Sequence, residues 1–193
     1  QQRQQIFEVE DQIAEKRDKL IDRLLDSPGY ADYFANKWNM VLRNKRKQQG
    51  DEDGTYAFRQ WLWDSLYDNK PYDKMIGEIL TASGDSSFNP PVLWYREVTQ
   101  VNEEVEDVAQ LFLGVRMQCA QCHHHPFERW SQHDYYSMAA FFSQIGRKPT
   151  ATAGEDVIFH KRGMAQTENK KTKQPVKPAG LGDPTLDIAP DDD

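Results

Sequence analysis

A chain of 193 residues that is 38% hydrophobic and 28% charged is long enough for one packed domain and too apolar to remain unfolded. Its formal net charge of -7 excludes a general nucleic-acid binder, which needs a positive surface. No stretch approaches the ~20 consecutive apolar residues of a membrane-spanning helix.

The predicted elements are mostly helical. Over 7–26, Ile13, Leu20, Ile21, Leu24 and Leu25 recur at helical spacing with charges on the other face, and Ser27-Pro28-Gly29 ends that helix. A second helix is expected over 30–46, with Phe34, Trp38, Val41 and Leu42 on one face. Arg43, Lys45, Arg46 and Lys47 would complement the dipole at its end. A polar loop, 48–54, leads to a helix over 56–67 that turns Phe58, Trp61, Leu62 and Leu66 inward. Asp68-Asn69-Lys70-Pro71 stops it, and 72–81 is helical through Met75, Ile76, Ile79 and Leu80. The stretch 83–91, ending in Pro90-Pro91, reads as a surface loop.

Asn102 as cap, with Glu103 and Glu104 in the first turn, opens the next helix. Val105, Val108, Phe112, Val115, Cys119 and Cys122 follow at intervals of 3, 4, 3, 4 and 3. In a continuous helix both sulfurs would extend the buried stripe and point into the protein. Pro126 disfavours helical geometry at His125 and ends the run. Ser131-Gln132-His133-Asp134 has the form of a capping box with Asp in place of Glu, opening a helix to residue 145 through Tyr135, Met138, Phe142 and Ile145. Beyond Gly146 two β-like runs, 157–159 and 175–177, flank the basic, polar segment 161–173. The acidic, proline-containing end, 183–193, reads as a tail or a link to a further domain.

Chemistry concentrates in Cys119-Ala120-Gln121-Cys122-His123, which holds the only two cysteines of the chain. Cys-x-x-Cys-His is the spacing of covalent haem attachment: two thiols form thioethers with the porphyrin vinyl groups, and the following imidazole binds the iron. Two other readings stand beside it. A Cys-x-x-Cys can be a redox dithiol, although that role ordinarily sits at a helix start after a strand, and it can supply half of a zinc site completed by His123, His125 or a distant histidine. Arg116 suits either a haem propionate or a surface salt bridge. Met117, Met138, His133 and His160 are candidates for the far side of the iron, and an open position is the alternative.

The words around the motif extend it. Phe112-Leu113-Gly114-Val115-Arg116-Met117-Gln118 precede it and His124-His125-Pro126-Phe127 follow. Then come Trp130-Ser131-Gln132-His133-Asp134-Tyr135-Tyr136 and Ala139-Ala140-Phe141-Phe142, with Ile21-Asp22-Arg23-Leu24-Leu25-Asp26-Ser27-Pro28 and Asn69-Lys70-Pro71-Tyr72-Asp73 upstream. Together they resemble the planctomycete-type cytochrome c domain, a large family long catalogued as of unknown function. The resemblance spans about residues 18–180. It implies an exported, periplasmic or cell-envelope domain carrying one covalent haem c, commonly the middle part of a longer protein, with its leader ahead of this numbering.

Under that resemblance Cys119 and Cys122 form the thioethers, and His123 is the proximal ligand with its other ring nitrogen held by a carbonyl or carboxylate. His125, in the family's Cys-His-x-His-Pro pattern, orients the loop or meets a propionate. The chain departs from the pattern at His124, where the family usually has Asn or Asp, and His133 stands where the family is variable.

The expected fold is mainly α: an irregular multi-helix haem domain over 1–148 with its site at the end of a long helix. A loop-rich or β-hairpin extension over 149–182 and the acidic tail complete it. Three functions follow: an electron-transfer domain serving a redox partner protein or a fused downstream domain, a haem enzyme or electron-input domain with an open iron position, and a structural metal-bound interaction module.

Overall fold

The computed structural model describes residues 2–46, 50–151 and 156–188, with side chains described from residue 13 onward. Lys47, residues 48 and 49 of the polar loop and residues 189–193 of the acidic end lie outside the described residues.

Apolar spacing builds four helices in the first half: α1 (Gln2–Leu25), α2 (Pro28–Val41), α3 (Glu52–Tyr67) and α4 (Tyr72–Leu80). Pro28 begins a helix instead of ending one, because its missing N–H is a first-turn donor without an intrahelical acceptor in any case. α2 stops at Val41, so the expected dipole-complementing cations lie past its end. Two of them are used in side-chain pairs: Arg43 bonds Asp107, and Arg46 bonds Glu52. α2 packs on α3, while the stripe Ile13, Leu20, Ile21, Leu24 and Leu25 of α1 stays exposed.

The loop expected over 83–91 gives way to a 3₁₀ segment, Pro90–Arg96, with Pro91 to Tyr95 buried. Four consecutive apolar side chains have no period of 3.6 or 2 to betray them, yet they fill the centre of the domain. Trp94 and Tyr95 join Phe58, Leu62, Ile79 and Val105 in the core, and the Tyr95 hydroxyl donates to the Leu80 carbonyl at 2.8 Å.

α5 (Val101–Asp107) is capped at Gln100, two residues ahead of the expected Asn102. The Glu103 carboxylate accepts from the backbone N–H groups of Thr99 and Gln100 at 3.1 and 3.2 Å. The long helix then fails. It loosens into a π turn, Val108–Phe112, and ends where Gly114 takes φ +69° and the Val115 N–H returns to the Ala109 carbonyl at 2.8 Å. A left-handed glycine followed by an N–H that reaches back six residues is a helix stop that a hydrophobic period cannot show.

α6 (Gln132–Ala140) starts as expected and ends five residues early. Residues 145–149 become β1 (Ile145–Pro149), antiparallel to β2 (Asp156–His160), and β3 (Thr167–Glu168) pairs with β4 (Pro175–Val176). Arg147 fastens the first hairpin to the helices, donating to the carbonyls of Tyr95 and Val98 at 2.6 Å each and to Glu104 Oε1 at 2.8 Å. β3 and β4 pack on α6, where Val176 and Ala179 are buried. The fold is mainly α with two small two-stranded sheets at the C-terminal side, in line with the expected class. No helix among the described residues is long and apolar enough to cross a membrane.

Candidate functional site

The helix stop at Gly114 relocates both cysteines. Met117, fully buried, roots a 3₁₀ turn, Gln118–Gln121, in the core, and the Ala120 N–H bonds the Met117 carbonyl at 2.9 Å. Cys119 is partly buried and Cys122 exposed, both as free thiols. The expectation of two inward sulfurs is therefore corrected: helical phase does not survive Gly114. Cys119 lies inside the 3₁₀ turn and Cys122 directly after it, the second open to solvent.

His123 follows immediately and is exposed. Its Nδ1 lies 2.6 Å from the His124 carbonyl oxygen. A carbonyl only accepts, so this contact puts the ring proton on Nδ1 and leaves the Nε2 lone pair for a ligand bond. His125 works in the opposite sense. Its Nδ1 accepts from the backbone N–H groups of Phe127 and Glu128 at 3.3 and 2.9 Å, and its own N–H bonds the Trp130 carbonyl at 2.8 Å. It organises the loop that brings the chain round to α6. That loop exposes 93% of Phe127. His124 and Arg116 are also exposed.

Two positioning residues were not picked out by the motif. Gln132 Nε2 donates to the Gln121 carbonyl at 2.9 Å, and the Tyr136 hydroxyl reaches the same oxygen at 3.3 Å. Four residues apart on α6, they share a face and pin the middle of the cysteine turn. The signal was the capping box beside them: the Asp134 N–H bonds Ser131 Oγ at 3.2 Å, and Asp134 Oδ2 accepts from the Ser131 N–H at 2.6 Å.

Burial, then Glu106 at 3.2 Å, holds the Tyr135 hydroxyl far above its ordinary pKa. Burial raises Tyr136 as well, and Cys122 adds to both shifts. Both phenols are thus within electrostatic reach of Cys122.

The distal candidates are scattered. Met138 and His160 line a groove of about 960 Å³ together with Leu113, Phe142 and Phe159, and no residue of the cysteine turn lines it. Met117 is core, and His133 is exposed in the first turn of α6, next to Gln132. Among the described residues no three His, Cys, Asp or Glu side chains converge as ligands for a metal ion.

Residues 1–147 match the family model described as PSCyt2, protein of unknown function (DUF1549). The match begins ahead of the expected span of 18–180 and ends within β1, so β2, β3 and β4 lie beyond it. No curated protein and no solved structure matches the chain.

Proposed function

The chain belongs to the PSCyt2 family, whose name denotes a cytochrome, and from that premise we propose that residues 119–123 attach one covalent haem c in an electron-transfer domain. The observation that carries the proposal is the 2.6 Å contact between His123 Nδ1 and the His124 carbonyl, which leaves Nε2 available beside two free thiols. The donor set fits the group. Thioethers would bind the porphyrin and the imidazole its iron, so the three side chains need no convergence on one point, whereas a tetrahedral ion needs its ligands gathered within about 2 Å of it. The absence of such a gathering among the described residues favours haem over a structural zinc.

When bound, haem supplies a one-electron couple. The protein's part is to hold and tune. Cys119 and Cys122 would anchor the macrocycle, His123 would ligate the iron with its ring fixed by the His124 carbonyl, and Gln132 with Tyr136 keep the turn from moving. Exposed Phe127 offers apolar surface on the same loop. Attachment of this type follows export, so the haem reading carries with it a periplasmic or cell-envelope location.

The test is a reduced-minus-oxidised spectrum of protein produced in an exporting host that matures c-type cytochromes. Thioether-haem bands support the proposal, and their absence contradicts it. Carbon monoxide added to the reduced form then separates the two haem readings: an unchanged spectrum indicates a six-coordinate carrier, a shifted one an accessible iron.

A further inference from the structure

Between β3 and β4 the chain carries Asn169-Lys170-Lys171-Thr172-Lys173, in a stretch, 161–177, that holds six cations against the single carboxylate of Glu168. This is a positive island on a chain of net charge -7. Its turn is built to hold one shape. Asn169 is 5% exposed, and its Oδ1 accepts from the backbone N–H groups of Lys171 and Thr172 at 3.0 and 3.2 Å. The Lys173 N–H bonds the Asn169 carbonyl at 2.8 Å, and Lys173 sits at φ +60°. The side chains of Lys170, Lys171 and Lys173 are all exposed. Lys173 shares its charge with Glu168 at 3.3 Å, and among the described residues no carboxylate pairs with Lys170 or Lys171.

The hairpin that carries this turn and the cysteine turn both pack on α6. Thr167 Oγ1 donates to the Tyr136 carbonyl at 2.7 Å, while the Tyr136 hydroxyl donates to Gln121 between the two cysteines. The Lys170 backbone, Lys173 and Cys122 all lie within electrostatic reach of that hydroxyl. Tyr136 thus bonds the hairpin that carries the lysine turn through its carbonyl and the cysteine turn through its hydroxyl.

We propose that the turn at residues 169–173 is a cationic lip that docks an acidic protein surface against the face bearing Cys122 and His123. As the docking place of a redox partner this rests on the electron-transfer reading; the lip itself needs no haem. Fixed cations beside a site steer acidic partners and set their orientation on arrival. A solvated lysine loop would serve solubility equally well anywhere on the surface. This one is ordered by a buried asparagine and bonded to the site.

The test uses the exposed thiol of the unmodified chain as reporter. Poly-L-glutamate should slow alkylation of Cys122 by neutral iodoacetamide several-fold at low salt, followed by mass spectrometry, and poly-L-lysine should not. Protection should fade as salt passes ~0.1 M, where the Debye length is about 10 Å. Lys170→Glu with Lys171→Glu should abolish it, and the milder Lys170→Gln with Lys171→Gln should weaken it at an unchanged melting temperature. The same charge change on α1, Lys16→Glu with Lys19→Glu, should retain it. No protection, equal protection in every variant, or protection by heparin but not by poly-L-glutamate would overturn the proposal. Protection in a chain that accepts no haem upholds the lip and removes the electron-transfer reading instead.

Discussion

Gln132 on α6 and Gln121 in the cysteine turn are joined by a 2.9 Å hydrogen bond from a side-chain amide to a backbone carbonyl. Through it, a helix start that the sequence announces holds a turn that the sequence does not.

Removing that bond should loosen the turn without unfolding the domain. Gln132→Ala should cost about 1 kcal/mol, the net worth of one hydrogen bond, and Tyr136→Phe a similar amount. Combined, they should accelerate alkylation of partly buried Cys119 more than that of Cys122, which is already exposed. Thermal melts with thiol-modification rates check both parts; equal acceleration of the two cysteines would point to global opening.

A second expectation concerns Glu104, almost wholly buried and bonded to Arg147 at 2.8 Å. Burial pushes its carboxyl up to about 7, against the lowering by Arg147. Between the ordinary carboxylate range and about 7 the folded protein keeps a proton that the unfolded chain has released, so this group's contribution falls as pH rises through that window. Glu104→Gln should flatten this part of the stability profile in chemical denaturation. Arg147→Ala should cost about 3–5 kcal/mol once Glu104 is ionised, and less near pH 5, where the neutral acid needs no counter-charge.

Gly146 faces Phe159 across the β1–β2 hairpin, and a Cβ there would stand 2.4 Å from the ring. Gly146→Ala should therefore destabilise by about 1–3 kcal/mol, the usual cost of overpacking. Adding Phe159→Leu should recover part of it, a non-additivity that a double-mutant cycle measures directly.

These cases divide by what is local. The helices α1, α3, α4 and the start of α6 were legible because apolar spacing and the Ser131–Asp134 box are short-range signals. The run from Val105 to Cys122 misled for the same reason. Its period continued on paper through Gly114, while the backbone stopped there on a left-handed turn. Pro90–Arg96 was invisible because its burial comes from neighbours distant in sequence, and β1 because its pairing partner, β2, lies further along the chain.

At the candidate site, spacing alone singled out Cys119, Cys122 and His123. Their exposure was not legible there, nor was the tautomer of His123, which the His124 carbonyl sets. Gln132 and Tyr136 lay in plain sight beside the capping box, but their target is a backbone oxygen eleven and fifteen residues away.

The most direct measurement is the intact mass, under denaturing and reducing conditions, of the chain matured in an exporting host that loads a control c-type cytochrome. One added haem per chain is expected, lost when Cys119→Ala and Cys122→Ala are combined. An unmodified mass beside a loaded control, or a stoichiometric zinc ion released when both cysteines are replaced, would contradict it.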